Sequence, residues 1–229
     1  MKNMNIDNIK NIIKNILIFL AYFIYEYLII ILLKYLGFNF YEMGITKRII
    51  ILVGSNICFI SLLLFIYRKE LIKDIKDFKE NYKDYIPKYI IYYLGGVLLM
   101  GIINIILMHF TGNQTSGNEE TIRLYIEKYP LYMLFSTVLY APFVEEIIFR
   151  KSIRNVFKNK YLFVVASGLI FGVAHISNFS SVTEWLFGIP YMIMGMDFAY
   201  IYYKSDNIFT TMSYHLLHNA ILLMLQFIK

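Results

Sequence analysis

Runs of about 20 apolar residues recur along this chain, and that recurrence limits the fold more than any single motif does. A helix needs about 20 mostly apolar residues to cross the hydrocarbon core of a bilayer. Such runs can be drawn at roughly 12–36, 48–67, 89–110, 130–149, 161–178, 185–203 and 208–228. Each is expected to be a helix, because backbone exposed to lipid must satisfy its own hydrogen bonds. Composition agrees. The 229 residues are 59% hydrophobic and only 17% charged, whereas a soluble domain carries about 25% charged residues. The expected fold class is all-α, a polytopic transmembrane helical bundle of about seven to eight spans.

The net charge of +6 does not point to nucleic acid, because the Lys and Arg residues collect in the links between apolar runs. The link from Arg68 to Lys88 carries seven of them and the link from Arg150 to Lys160 five, while Ser177 to Glu184 carries none. Basic links face the cytoplasm, so the N-terminus and the links at 68–88, 150–160 and 204–207 are expected there. Leu71, Ile75 and Phe78 recur at helical spacing among Lys, Asp and Glu, so 68–88 reads as an amphipathic helix at the cytoplasmic interface. The link 111–128 reads as an exposed polar loop. The single cysteine, Cys58, lies in an apolar run and reads as a packing residue, with no disulfide framework. No small-residue cleavage site follows the first apolar run, which is therefore expected to be an uncleaved span. There is no internal repeat of the kind that builds paired-half transporters. The Ile-, Asn-, Lys- and Tyr-rich composition fits an AT-rich coding sequence and a bacterial plasma membrane. Residues 1–125 supply N-terminal spans, and 126–229 form the expected functional core.

Ionisable groups inside spans are costly and so mark functional positions. The densest cluster is Glu145-Glu146-Ile147-Ile148-Phe149-Arg150. Glu146 and Arg150 are four apart, on one helix face and in the favourable order for pairing. Glu145 points about 100° away, leaving it a carboxylate without that partner, which suits a general base. The same residues would also serve as the charged boundary of a span. Pro142 just upstream could open the backbone.

Gly168 and Gly172 form a GxxxG face for close packing. Phe171 and His175 follow on or beside that face, and Asn178 either orients the histidine or ends the span. In the last run His215 and Asn219 share one face, with His218 beside it. Such a pair can bind a metal, donate to an oxyanion or bond helices together. His109 reads as an interface residue, and Asp197 as a helix-packing or supporting polar group.

Glu-Glu-x-x-x-Arg, Phe-x-x-x-His and His-x-x-x-Asn, in that order across the last 100 residues, resemble the motifs of the CPBP family of type II CAAX prenyl endopeptidases and bacteriocin-processing or immunity (Abi) proteins. Gly188 and Gly195 fit the family's small-residue pattern. The resemblance implies an intramembrane endopeptidase in which Glu145 activates a water, His175 holds it, and His215 and Asn219 stabilise the oxyanion. Glu146, Arg150 and Phe171 would support the site. It also leaves open a zinc ion held by Glu145, His175 and His215, although His-Glu-x-x-His is absent. Implied partners are membrane lipid and a peptide or lipidated-protein substrate, with no nucleic acid.

Two other classes remain open on the residues alone. A transporter with a Glu/His proton relay predicts a polar path that includes Asp197 and His109. A non-catalytic scaffold or immunity regulator predicts that Glu145 is dispensable. The span boundaries also create a conflict for catalysis: with full spans, Glu145 and His175 sit roughly 15 Å apart in depth. Either the fifth span is tilted or short, or the 150–160 link dips into the bundle, and the dip is the expected remedy.

Overall fold

The computed structural model describes residues 6–112 and 115–227. Asn113 and Gln114 of the polar link, and residue 228 at the end of the last run, lie outside that range. The described residues form seven helices and no strand. They are α1 (Ile6–Tyr35), α2 (Ile45–Thr111), α3 (Gly117–Lys128), α4 (Pro130–Val156), α5 (Lys160–Ala174), α6 (Val182–Ser205) and α7 (Ile208–Phe227). α1, α2, α4 and α7 are each long and apolar enough to cross a membrane. Many large apolar side chains face outward, among them Leu17, Leu20, Ile31, Leu98, Ile105 and Leu225, as expected where lipid is the solvent.

The runs 48–67 and 89–110 and the amphipathic link between them are one continuous helix of 67 residues. The link stays helical because it has no Gly and meets no Pro until Pro87. Its Lys and Glu residues are also good helix formers. This helix must curve. Asn56 accepts from Tyr25, and Tyr25 bonds Tyr140, which lines the same cavity as Asn104. In a straight helix Asn56 and Asn104 would be about 70 Å apart. Pro87 removes one ladder bond and is the residue best suited to concentrate the bend.

The middle of α2 is clamped to the ends of three other helices. Tyr67 donates to Asn15 at 2.6 Å and lies 2.8 Å from the Ser152 hydroxyl. Lys151 donates to Asp74 at 2.8 Å. The Asn207 amide bonds both the Asp74 carbonyl and the Asp77 carboxylate, at 2.7 and 2.6 Å. The hydrogen bond from Asn207, joined by those from Tyr85 and Asn81, holds the Asp77 carboxyl below the usual carboxylate range.

Two expectations about the links need correction. Part of the 111–128 link is the helix α3. Ser116 caps it by accepting from the Glu119 N–H at 3.2 Å, and Arg123 pairs with Glu119 at 3.0 Å. The Ser116-x-x-Glu119 spacing of a capping box is the signal for this helix. The expected end of the fourth span at 149 is also too early, because α4 continues to Val156. Arg150, Lys151, Ser152 and Ile153 are buried as a continuation of α4, while Phe157, Lys158 and Asn159 are exposed, so the 150–160 link does not dip into the bundle as a whole.

α5 and α6 pack closely through their glycines. A Cβ on Gly168 would lie 2.8 Å from the Met192 carbonyl oxygen, one on Gly172 2.8 Å from the Gly188 carbonyl oxygen, and one on Gly195 2.9 Å from the Gly168 Cα. Lipid is as apolar as leucine, so van der Waals contact at this distance, rather than escape from water, joins the two helices.

Candidate active site

α4 carries the carboxylates, and it is not a regular α-helix. Leu134–Tyr140 and Glu146–Ser152 are π-helical, with an α-helical segment, Ala141–Glu145, between them. In the first wide segment the Ala141 N–H bonds the Ser136 carbonyl, five residues back. Continuing that register would pair Thr137 with residue 142, but Pro142 has no N–H. The Thr137 carbonyl is freed, and the Asn219 side-chain amide donates to it at 2.8 Å. In the second segment the Ser167 hydroxyl donates to the Phe149 carbonyl at 2.7 Å, while the Ile153 N–H turns to Arg150. Wide turns of this kind are uncommon and concentrate at functional sites.

The two adjacent glutamates have different environments. Glu146 is fully buried, and its Oε2 lies 3.2 Å from Arg150 Nε, the expected pair. The Arg150 guanidinium sits over the faces of Phe171 and Phe198, at 4.5 and 5.6 Å, where aromatic quadrupoles supplement the carboxylate. Glu145 keeps 13% of its side-chain surface open and lies 3.8 Å from His215 Nε2. His215 Nδ1 is 2.8 Å from Glu146 Oε1. The carboxylates therefore straddle one imidazole, a partner that helix geometry within α4 alone does not reveal.

Hydrogen-bond chemistry fixes the histidine tautomers. His175 Nδ1 is 2.7 Å from the Phe171 carbonyl oxygen, which can only accept, so Nδ1 carries the proton and the neutral ring keeps its lone pair on Nε2. His215 Nδ1 faces a carboxylate and also donates, leaving Nε2 for Glu145 or a ligand. The Phe171 ring lies 4.4 Å from His175 and 6.0 Å from His215, and Phe198 stacks on His215 at 5.1 Å.

Glu145, Phe171, His175, His215, His218 and Asn219 all line one cavity of about 570 Å³, within the usual range for small-molecule and cofactor sites. The depth conflict between Glu145 and His175 disappears once the helix ends are known. Glu145 lies eleven residues before the end of α4, about 16 Å. His175 follows the fifteen residues of α5, about 22 Å from its start. α3 roofs the cavity with Asn118, Glu119, Ile122, Arg123 and Ile126, and Met100, Met108, Met133, Met194 and Leu222 line its walls.

Other candidates lie elsewhere. Asp197 does not line the cavity; its carboxyl packs against Gly96 of α2. His109 stands beside Phe110 near the end of α2. Asn178 accepts from the Ser180 N–H at 3.0 Å and marks the turn after α5. Tyr191, which no motif singles out, stacks on His175 at 4.4 Å with an interplanar angle of 17°.

His175 and His215 each have Nδ1 anchored and Nε2 without a hydrogen bond, as a metal ligand would. Among the described residues, however, no three His, Cys, Asp or Glu side chains converge closely enough to hold a metal ion. The set Glu145, His175 and His215 does not fit a zinc ion in this arrangement.

Residues 127–221 match the family of type II CAAX prenyl endopeptidase Rce1-like proteins. Over 156 residues the chain is 28% identical to YdiL of Bacillus subtilis, described as a candidate membrane peptidase, covering 65% of this chain and 61% of YdiL. It is 25% identical to the membrane-embedded CAAX protease MroQ of Staphylococcus aureus, over 94% of this chain and 90% of MroQ. An uncharacterized protein of Mycoplasma capricolum is 30% identical over 54% of this chain and 38% of its own length. The chain thus spans about three-fifths of YdiL and most of MroQ. No solved structure matches it.

Proposed function

We propose that this chain, whose residues 127–221 match the Rce1-like family, is an intramembrane endopeptidase that hydrolyses a peptide bond of a membrane-associated substrate. The observation that carries this reading is the meeting of Glu145, His175, His215 and Asn219 at one cavity, although α5 separates Glu145 from His175 in sequence and α6 separates His175 from the last two. MroQ is named as a CAAX protease. A prenylated protein or a leader peptide is the corresponding substrate here, and the Met-rich walls suit either, because methionine adapts to varied apolar shapes.

Glu145 takes a proton from a water whose other hydrogen bond goes to His175 Nε2. The water oxygen attacks the peptide carbonyl carbon, and the carbonyl oxygen becomes an oxyanion. The second N–H of Asn219 donates to it, as does His215 Nε2 when that ring carries both protons. Glu145 then returns its proton to the departing amine, and the C–N bond breaks. Glu146 and Arg150 hold His215 in place and touch no substrate.

Asp197 and His109 stand apart from the cavity, and a closed cluster without them favours hydrolysis over a proton path. The test is cleavage of a farnesylated CAAX reporter and a leader-peptide library in detergent, with and without a chelator. Wild type is expected to cleave at least one of them. Glu145→Ala, His175→Ala and His215→Ala are each expected to lower the rate at least about a hundredfold. Loss of cleavage with chelator would return a metal to the mechanism. Folded wild-type protein that cleaves neither class would overturn the proposal.

A further inference from the structure

We infer that Tyr191 is the positioning residue of His175, and that through Tyr191 the imidazole is tied to the helix roofing the cavity. This rests on the hydrolytic reading only for its catalytic consequence; the tie itself is structural.

His175 lies one residue beyond α5, with φ −100° and ψ 5°, so the regular helix does not hold its side chain. Its bond to the Phe171 carbonyl directs Nδ1. A single hydrogen bond still lets the ring swing about that contact, and Nε2 would swing with it. Tyr191, from α6, removes this freedom by lying nearly parallel to the imidazole, 17° off at 4.4 Å. Phe171, tilted 42° at the same distance, gives the ring a second aromatic neighbour. Nε2 is thereby aimed into the cavity.

Tyr191 is itself held from the roof. The Asn118 side-chain amide donates to its hydroxyl at 3.2 Å, and Asn118 lies in the first turn of α3. That turn is latched by Glu184, at the start of α6. Glu184 Oε1 accepts from the Gly117 N–H at 2.8 Å, and Oε2 accepts from the Ser177 hydroxyl at 3.1 Å. The roof, the segment after His175 and the first turn of α6 thus meet at one carboxylate. A displacement of α3 would carry Asn118 from Tyr191 and loosen the plane of His175. The stack sets the plane of His175, and the closed roof holds it more firmly.

Three variants separate the parts: Tyr191→Phe keeps the stack and loses the hydroxyl, Tyr191→Leu loses both, and Asn118→Ala weakens the tie from the roof, leaving the Ser116 side chain alone to make it. Two readouts apply. The first is NMR of histidine-labelled protein in detergent, with His175 assigned by its disappearance in His175→Gln. Its Cε1–H resonance is expected upfield in wild type and Tyr191→Phe and displaced downfield in Tyr191→Leu, with His215 unmoved. The second is kinetics on whichever CAAX or leader-peptide reporter the wild type cleaves. Tyr191→Leu should lower kcat about tenfold to a hundredfold with KM within about twofold. Tyr191→Phe should recover most of that rate, and Asn118→Ala should show a smaller loss. A His175 resonance and kcat unchanged in Tyr191→Leu would overturn the inference while leaving the protease intact. Should wild type cleave neither reporter, the resonance alone decides, and an unshifted His175 in Tyr191→Leu rejects the inference.

Discussion

At the scale of single residues, Glu145 and Glu146 are adjacent in sequence but differ in what their removal would do. Glu146 is sealed against Arg150 and His215. Glu146→Ala would leave a buried guanidinium unpaired, at a cost of about 3–5 kcal/mol. Glu145 opens to the cavity with one long contact, so Glu145→Gln should cost much less stability than Glu146→Ala while abolishing cleavage. Thermal unfolding in detergent, beside the activity assay, should show this split. Asp77 supplies a pH-dependent contribution. Its folded carboxyl is held below the ordinary value by Asn207, so the stabilisation is full above the unfolded pKa, about 3.9. It is lost as pH falls through the lower folded value. The stability difference between wild type and Asp77→Asn should therefore be flat from about pH 7 to 5 and shrink toward pH 3. A difference that grows on acidification would contradict the Asn207 clamp.

At the scale of elements, α4 and the α5–α6 pair show how local irregularity serves the site. Pro142 leaves the Thr137 carbonyl for Asn219 to take. Pro142→Ala should restore a backbone donor there and release Asn219. The expected result is a higher melting temperature, since proline within a helix costs about 3 kcal/mol, together with a lower kcat. The Pro142 signal was legible in the sequence as a point where the backbone could open; the π turns around it were not, because helix periodicity assumes a constant number of residues per turn. The glycine spacing on α5 and α6 was fully legible. Gly172→Ala would push a methyl against the Gly188 carbonyl and Met192 N–H, backbone atoms that cannot rotate away. It should cost about 1–3 kcal/mol, measured by unfolding, and lower activity by moving His175 at the end of the same helix.

At the scale of the whole molecule, α2 has the role least expected from its pattern of two apolar arms and a charged middle. It is one curved helix whose arms both approach the cavity wall and whose middle clamps α1, α4 and the α6–α7 turn. We propose, from the positive-inside rule, that this middle lies in the cytoplasm and α3 with the cavity roof on the opposite side. In a Cys58→Ser background, Lys83→Cys and Thr115→Cys should then react with an impermeant thiol reagent from opposite faces of the membrane. Thr115→Cys should be labelled in intact cells and Lys83→Cys only after lysis. Labelling of both in intact cells would contradict this topology.

Apolar helical runs, the Gly168–Gly172 face, the Glu146–Arg150 pair and the three motifs were readable in the sequence, because each depends on hydropathy or on spacing within a single helix. The division into seven spans was not, since two runs join in α2 and, among the described residues, only four helices are long and apolar enough to cross a membrane. The clasp of His215 by both glutamates, the stacking of Tyr191 on His175, the capture of Thr137 by Asn219 and the exclusion of Asp197 from the cavity depend on which helices become neighbours. That is set by the length of α4 beyond Glu145, the shortness of α5 and the curvature of α2. Periodicity reports which way a side chain faces around its own helix axis. The depth at which it meets another helix depends on where both helices end, and those ends are fixed by caps, clamps and packing partners distant in sequence.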